Sequence, residues 1–183
     1  MKIIPFSEQH IPAVARFSDK EFGAGYWTED SLAESLKLSS PEASLILIDE
    51  DEKTQGFRLT YAPGTWMQDP LIAKGLSKGQ WKTPPEKVAY FKTILVSPNL
   101  RGSGWGQKLS QTSFEALKKA GAEAVLCDSW KESPRNSSQK YLYKLGFEKV
   151  AEYKEFWKAV DYSCSRCGRP CLCTAAEMIK YLY

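Results

Sequence analysis

Residues 94–106 read Ile-Leu-Val-Ser-Pro-Asn-Leu-Arg-Gly-Ser-Gly-Trp-Gly, an apolar run that ends at a proline and is followed by three alternating glycines. The run is typical of a strand, and the glycines open a segment with the apolar spacing of an amphipathic helix. Gly102, Gly104 and Gly106 have no Cβ atom, so their backbone N–H groups can turn toward an anion at the positive end of the helix dipole. Arg101 adds a fixed positive charge. The stretch therefore predicts a phosphate-binding loop.

Two common phosphate-binding loops fit this stretch poorly. A Walker loop needs a lysine after its last glycine, but Gln107 follows here, and a dinucleotide-binding loop spaces its third glycine one residue farther along. The order R-x-x-G-x-G over residues 101–106, preceded by Val96-x-Pro98 and followed by Leu109, resembles instead the acetyl-coenzyme A pyrophosphate loop of the GNAT superfamily of N-acetyltransferases. The alternative is a tight turn that binds no ligand.

A second segment resembles another GNAT signature. Residues 136–147 read Asn-Ser-Ser-Gln-Lys-Tyr-Leu-Tyr-Lys-Leu-Gly-Phe, a helix that begins at an asparagine, carries an aromatic pair and ends at Gly-Phe. A buried strand over 122–127 is predicted before it, and a strand over 147–156 after it. The two matches together span residues 86–157, and the resemblance is to the superfamily rather than to one member.

One position departs from the family pattern. In the superfamily a tyrosine four residues before the glycine of the Gly-Phe pair protonates the departing coenzyme A thiolate, but this chain has Leu142 there. Tyr141 and Tyr143 flank it. Successive helical residues are rotated by about 100°, so only one of the two can face a cleft. We expect Tyr143 to be the acid; either tyrosine could instead pack under the helix, and water could serve because a thiolate leaves readily.

The resemblance implies an α/β (α+β) fold: a mixed, mostly antiparallel central sheet flanked by helices, with a V-shaped separation of the two central strands near Pro98. Acetyl-CoA would lie in that opening. An amine acceptor must lose a proton before it attacks, and Asp128 and Glu132 are the candidates for the base. Asp128 could equally be a turn residue. The expected cofactor-binding residues are Ile94, Leu95, Val96, Arg101, Gly102, Ser103, Gly104, Trp105, Gly106 and Asn136.

The order of elements agrees with the resemblance over residues 1–160, which we expect to form the acetyltransferase domain. A segment over residues 62–85 interrupts it, either as a substrate-selecting loop or as a surface excursion pinned by its own tryptophans. A helical turn is expected within it at 71–76. The N-terminal half reads as a strand over 2–5, a helix from Ser7 to Phe22, a helix from Thr28, and a hairpin of strands over 43–48 and 56–61.

Four of the five cysteines lie close together, as Cys164-x-x-Cys167-x-x-x-Cys171-x-Cys173. A reducing compartment disfavours disulfides, and four thiolates on a loop bent by glycine and proline can converge on Zn²⁺. We expect residues 161–183 to form a tail outside the domain that carries a structural zinc knuckle. An iron–sulfur cluster, a redox dithiol and a metal-free tail are the alternatives.

The composition fits a globular protein of 183 residues, 43% hydrophobic and 26% charged. A net charge of +3, with basic and acidic residues interleaved, predicts no nucleic-acid partner. Neither a leader peptide nor a membrane span is apparent. We expect a cytoplasmic enzyme, monomer or homodimer, that transfers an acetyl group from acetyl-CoA to a small-molecule or peptide amine by direct attack. A non-catalytic acyl-CoA-binding module and a metal-responsive interaction protein are the alternative functions.

Overall fold

The computed structural model describes residues 1–73 and 76–183, and within these ranges no helix has both the length and the apolar character to cross a bilayer. Its strands are β1 (Lys2–Pro5), β2 (Leu45–Ile48), β3 (Thr54–Tyr61), β4 (Val88–Val96), β5 (Ala124–Trp130), β6 (Glu148–Tyr153) and β7 (Ala175–Tyr181). Its α-helices are α1 (Ile11–Phe22), α2 (Glu29–Lys37), α3 (Pro70–Ala73), α4 (Trp105–Lys119) and α5 (Ser137–Lys144). The strands form one sheet in the order β1-β2-β3-β4-β5-β7-β6, and only β4 and β5 are parallel neighbours.

The sheet is covered on both faces because its strands alternate between two apolar cores. In β4, Val88 and Tyr90 pack on the same side as α1 and α2, whereas Ala89 and Phe91 pack on the side of α4 and α5. Successive strand residues point to opposite faces, so a strand that is apolar throughout must be buried on both. Leu142 of α5 belongs to the second core, and this is why a leucine replaces the expected tyrosine without loss of packing.

β4 and β5 separate part of the way along their length. They pair only over residues 88–90 of β4, although both strands continue. Lys92 is an extra residue in the pairing of β4 with β3, since Phe91 and Thr93 face consecutive residues of β3. A bulge bends the strand that carries it, so β4 turns away from β5 at this point. The expected V-shaped opening and mostly antiparallel sheet are confirmed, but the opening begins at the bulge and not at Pro98.

The end of the chain differs from the expected tail. Residues 175–181 form β7, which lies between β5 and β6 and pairs antiparallel with both. The boundary expected at residue 160 therefore cuts through the sheet, because β6 is hydrogen-bonded to the other described strands only through β7. The cysteine segment is a connection between two strands of one domain.

The segment over residues 62–85 packs against the sheet. Trp66 is fully buried and its indole Nε1 donates a hydrogen bond to the carbonyl oxygen of Val88, 2.8 Å away. Trp81 packs edge-to-face on Trp66, with 5.7 Å between ring centroids. The helical turn expected at 71–76 is present as α3, and residues 74 and 75 of that prediction lie outside the described residues.

The buried carboxylate of Glu177 ties this segment to the sheet. The indole Nε1 of Trp81 donates to its Oε1 at 2.7 Å, and the backbone N–H of Ser77 and the hydroxyl of Tyr153 donate to its Oε2 at 2.9 and 2.7 Å. Glu177 is fully buried, so water cannot replace these bonds. One side chain of β7 thus joins β6 and the inserted segment.

We expect Glu177→Ala to lower the free energy of unfolding by about 2–4 kcal/mol, since three hydrogen bonds to a carboxylate are lost and the Trp81 indole becomes a buried donor without a partner, whereas Tyr153 keeps its bond to the Ser77 hydroxyl. Urea denaturation followed by tryptophan fluorescence measures the change. The matched control is Glu152→Ala, which removes a surface carboxylate from two lysines and should change stability little. Equal effects of the two variants would contradict the role assigned to Glu177.

Candidate active site

A cleft of about 850 Å³ opens where β4 and β5 separate. The glycine loop at the start of α4 forms one part of its lining, and aromatic side chains from the α1–α2 connection and the β6–β7 connection form another. Ile94, Leu95 and Val96 line it, as expected from the sequence. Their stretch of β4 has no β5 neighbour, so the strand edge that faces the cleft is free to bind an extended ligand.

The glycine loop has the backbone of an anion site. Gly102 and Gly104 have φ values of 83° and 88°, a region that residues with a Cβ rarely adopt. Within the described chain, the N–H groups of Gly102, Gly104, Gly106 and Gln107 make no hydrogen bond. All four residues line the cleft, where the N-terminus of α4 adds the positive end of its dipole. The loop can therefore hold a phosphate group without rearrangement.

The remaining loop residues have different places. Arg101 lines the cleft but forms an ion pair with Glu21. Ser103 and Trp105 do not line it, because the Ser103 hydroxyl donates to the carbonyl of Leu100 and the Trp105 ring faces the Lys108 ammonium at 4.8 Å. A role for these two side chains is not supported by their positions.

Asn136 lies at the other wall but outside the cleft lining. It has a left-handed backbone (φ 54°) just before α5, and its buried side-chain oxygen has no hydrogen-bond partner among the described residues. Its neighbours Arg135 and Ser137 do line the cleft. Contact between Asn136 and the cofactor stays a prediction, because the residue is not part of the cleft lining.

Asp128 lies inside β5 rather than past its end, and it lines the cleft beyond the last β4 pair. The hydroxyl of Tyr90 donates to its Oδ2 at 2.7 Å, while its buried Oδ1 has no partner among the described residues. Burial, together with the charge of Glu177 on the neighbouring strand, raises the pKa of Asp128 to about 7. A carboxylate that titrates near neutral pH is suited to remove a proton from an ammonium group. Glu132, the other candidate base, accepts a hydrogen bond from the backbone N–H of Thr174.

Of the two tyrosines of α5, the one expected at the cleft is exposed and the other lines the cleft. Tyr143 is 50% exposed and does not line the cleft, because the helix turns it away from the sheet. Tyr141 lines the cleft, and its hydroxyl donates to the carbonyl of Gly106 at 2.7 Å. Tyr141, and not the expected Tyr143, is therefore the tyrosine that lies at the cleft.

Tyr141 ends a chain of hydrogen bonds that starts at a buried arginine. The guanidinium of Arg58, which is fully buried in β3, donates to the hydroxyl of Ser110 and lies 3.8 Å from the ring centroid of Phe91. The Ser110 hydroxyl is 2.7 Å from the Tyr141 hydroxyl. The sequence analysis did not single out Arg58, although a charged residue inside an otherwise apolar strand is itself a signal.

The fifth cysteine also lines the cleft. Burial raises the pKa of Cys127 to about 12, so it stays a thiol at neutral pH. A thiol is a weak nucleophile, and the side chain is therefore a wall of the cleft rather than a site of covalent attachment.

The four remaining cysteines come together in the β6–β7 connection. Their Sγ atoms all lie within 4.8 Å of one another, with separations of 4.0 Å for Cys164 and Cys173, 3.9 Å for Cys167 and Cys171, and 3.7 Å for Cys167 and Cys173. A disulfide would need about 2 Å. A tetrahedral zinc ion with Zn–S bonds of about 2.3 Å places its sulfur ligands about 3.8 Å apart. The cluster therefore has the dimensions of a site for one tetrahedral ion.

Known proteins match the chain at two levels. The model of the acetyltransferase (GNAT) family matches residues 12–147. Among solved structures, Ard1 from Thermoplasma volcanium has a TM-score of 0.71 at 14% identity and covers 100% of this chain and 97% of its own. Naa20 of Chaetomium thermophilum, solved with a bisubstrate analogue, has a TM-score of 0.70 at 16% identity, covering 100% and 87%. Arylalkylamine N-acetyltransferase 2 of Aedes aegypti has a TM-score of 0.67 at 18% identity, covering 100% and 99%. No curated protein sequence matches.

The environment of Asp128 makes stability depend on pH. An aspartate in an unfolded chain titrates near pH 4, so between about pH 4 and pH 7 the folded chain binds more protons than the unfolded chain, and stability falls as pH rises. We expect Asp128→Asn to remove this fall. The free energy of unfolding of the variant, relative to that of the native protein, should rise by up to about 3 kcal/mol between pH 4.5 and pH 8. Urea denaturation across that range measures the gain, and parallel curves would contradict it.

Proposed function

The chain belongs to the acetyltransferase (GNAT) family, since the family model matches residues 12–147, and on that premise we propose that it transfers an acetyl group from acetyl-CoA to an amine by direct attack. The observation that carries the proposal is the joint position of a free phosphate-binding loop, an unpaired strand edge and a carboxylate that titrates near pH 7, all in one cleft. Each supplies one requirement of the reaction.

The pyrophosphate of acetyl-CoA is proposed to bind the free N–H groups of Gly102, Gly104, Gly106 and Gln107. The pantetheine arm would then run along the edge of β4 at residues 94–96 and pair with it as a strand does. A backbone N–H on this edge would donate to the thioester carbonyl, whose oxygen gains negative charge as the amine attacks. Binding of the cofactor thus relies on backbone atoms that the separation of β4 and β5 leaves without partners.

Asp128 is proposed to take the proton that the amine must lose. The neutral nitrogen then attacks the thioester carbon and a C–N bond forms. The tetrahedral intermediate collapses with cleavage of the C–S bond, and the nitrogen releases its second proton to water, from which Tyr141 afterwards recovers the proton that it donates. The departing thiolate takes a proton from Tyr141, whose hydroxyl is held beside the cleft by Ser110 and the carbonyl of Gly106. Loss of the base should lower the rate more than loss of the acid, because a thiolate leaves readily and water can protonate it.

A binding module without catalysis is the second candidate function. It is supported by Leu142, which stands where the family has its acid, and by the Tyr141 hydroxyl, which already donates to Gly106. Turnover decides between the two, since both share the cofactor site.

The four clustered cysteines are proposed to hold one structural Zn²⁺. Three of the six sulfur separations are 3.7 to 4.0 Å and all lie within 4.8 Å, which fits a single tetrahedral ion, whereas a multi-iron cluster would spread the sulfur atoms over different metal ions. All four ligands come from the protein, so the ion would have no open position for a substrate and would act on the fold rather than in the reaction.

Thiol release from acetyl-CoA tests the catalytic proposal, measured with tryptamine, spermidine, L-lysine and an alanine-led tetrapeptide as acceptors. We expect acceptor-dependent release by the native protein, with kcat/KM falling below about pH 7 as Asp128 becomes protonated. Asp128→Asn should lower kcat by about 100-fold or more, and Tyr141→Phe by about 10-fold, as expected for loss of a base and of a replaceable acid.

Tyr143→Phe is the matched control, because it removes the same hydroxyl group from a residue outside the cleft. It should leave turnover unchanged. Calorimetric titration of each variant with acetyl-CoA separates loss of binding from loss of chemistry. Tight binding by the native protein without release on any acceptor would favour the binding module, and absence of binding would contradict both functions.

Metal content tests the zinc proposal. We expect about one zinc per native chain and almost none in Cys171→Ser, whose side chain is a proposed ligand in the buried part of the cluster. Cys127→Ser is the control, since it removes a cysteine outside the cluster and should keep the zinc. Mass spectrometry under native conditions measures both. A native protein purified with iron and sulfide, or with no metal after zinc is supplied, would overturn the assignment.

A further inference from the structure

A part of the cleft lining outside the glycine loop and β4, here called the aromatic end, is built from aromatic rings. Tyr26 follows α1, and Phe156, Trp157 and Tyr162 come from the β6–β7 connection. The Tyr26 ring meets the Tyr162 ring edge-to-face, with 4.9 Å between centroids. Because the glycine loop and residues 94–96 are assigned to the cofactor, the aromatic end is the part of the lining that is left for an acceptor.

These rings rest on the four-cysteine cluster. Trp157 and Tyr162 share one apolar core with Cys164, Cys171 and Cys173, and Tyr26 packs against it. The hydroxyl of Tyr162 donates to the Sγ of Cys171 at 3.1 Å, while its ring lines the cleft. The Tyr162 side chain therefore connects the cluster with the acceptor end directly.

The same cluster holds the end of α1. The Ser165 hydroxyl donates to the carbonyl of Glu21 at 3.0 Å, and its backbone N–H to the carbonyl of Phe22 at 3.2 Å. Gly23 lies so close to the loop that a Cβ atom there would sit 1.9 Å from the carbonyl oxygen of Ser163. The position of Tyr26 thus depends on the shape of the loop between β6 and β7.

The loop keeps its shape largely through its sulfur atoms. Backbone N–H groups point at two of them: Arg166 donates to Cys164 at 3.4 Å and Leu172 to Cys167 at 3.3 Å. Such N–H groups stabilise thiolates, as in a metal site whose ligands are fixed by surrounding hydrogen bonds. The sulfur–sulfur contacts of 3.7 to 4.0 Å are weak hydrogen bonds at most, so an ion bonded to all four sulfur atoms would hold the loop in this shape far more firmly than the thiols hold one another.

We propose that metal binding at the four cysteines builds the acceptor side of the cleft, so that the metal-free protein binds acetyl-CoA normally and its acceptor weakly. This inference rests on the proposed function, because it takes the aromatic end of the cleft as the acceptor site. The cofactor side depends on the cysteine loop less directly: within the described chain the glycine loop and residues 94–96 make no hydrogen bond to it, and Arg101 reaches it only through a solvent-exposed ion pair with Glu21, whose carbonyl accepts from Ser165.

The test compares the zinc-loaded protein with the same protein after chelation, kept reduced, and again after zinc is returned. For the panel amine with the highest turnover, we expect KM to rise at least about 10-fold on chelation and to recover with zinc. The acetyl-CoA dissociation constant should stay within about 2-fold. Amide hydrogen exchange should speed up over residues 21–27 and 156–163, and stay unchanged over residues 94–107. Unchanged KM and exchange would overturn the proposal.

A second variant covers the case in which chelation unfolds the chain. Gly23→Ala keeps all four cysteines but pushes the end of α1 away from the loop, so it should retain zinc and acetyl-CoA binding and still raise KM. Gly25→Ala is its control: it has a similar backbone strain at φ 84°, yet its Cβ would meet only the Asp161 carbonyl oxygen at 3.9 Å. Equal KM values for the two variants would overturn the proposal.

The proposed function fails in a different way. A zinc-loaded protein that binds acetyl-CoA but turns over no panel amine would contradict the acetyl transfer, and the exchange comparison would still show whether zinc orders residues 21–27. Loss of acetyl-CoA binding on chelation, together with faster exchange over residues 94–107, would mean that zinc supports the whole fold, and would overturn the selective role.

Discussion

The separation of β4 from β5 is the constraint on which the rest of the site depends. A continuous sheet would pair every backbone group of both strands and leave no room between them. The bulge at Lys92 bends β4 after only residues 88–90 have paired, so the edge at residues 94–96 and the carboxyl group of Asp128 face each other across a cleft. The strand then leads into the glycine loop, whose free N–H groups also line the opening. The proposed places of cofactor, reacting carbon and base are thereby set mainly by the backbone.

The two strands at the far edge complete this arrangement. β7 pairs with β5 along its whole length and places Glu177 beside Asp128, where its charge helps to raise the pKa of the proposed base. The same carboxylate accepts the bonds that fix the inserted segment. The connection that delivers the chain to β7 carries the four cysteines and the aromatic end of the cleft. Glu177 and the β6–β7 connection therefore link the strands at the edge of the sheet to the cleft at its centre.

The features that the sequence predicts correctly are those that depend on local backbone geometry. The loop backbone has positive φ values at Gly102 and Gly104, which residues other than glycine adopt at a cost. The position of the loop can therefore be predicted from the sequence alone. The close grouping of four cysteines is equally local. The place of β7 in the sheet is not local: apart from Glu177 and Lys180 its residues are apolar, and nothing in the segment specifies that it inserts between β5 and β6.

Side-chain roles were harder to predict because they depend on small rotations and on distant partners. Tyr141 and Tyr143 are two positions apart on one helix, and only the packing of Leu142 into the core shows which one faces the cleft. Arg58 is distant in sequence from the residues it supports, Ser110 and Tyr141. The bulge at Lys92 depends on the register of two strands, and this is why the opening was assigned to Pro98.

The most direct measurement of the central claim is amide hydrogen exchange by NMR with and without acetyl-CoA. If the cofactor binds along the freed edge of β4, the amides of residues 94–96 and of Gly102, Gly104, Gly106 and Gln107 will gain protection, while β2 and β3 stay unchanged. Saturating acetyl-CoA that protects none of these amides would contradict the account.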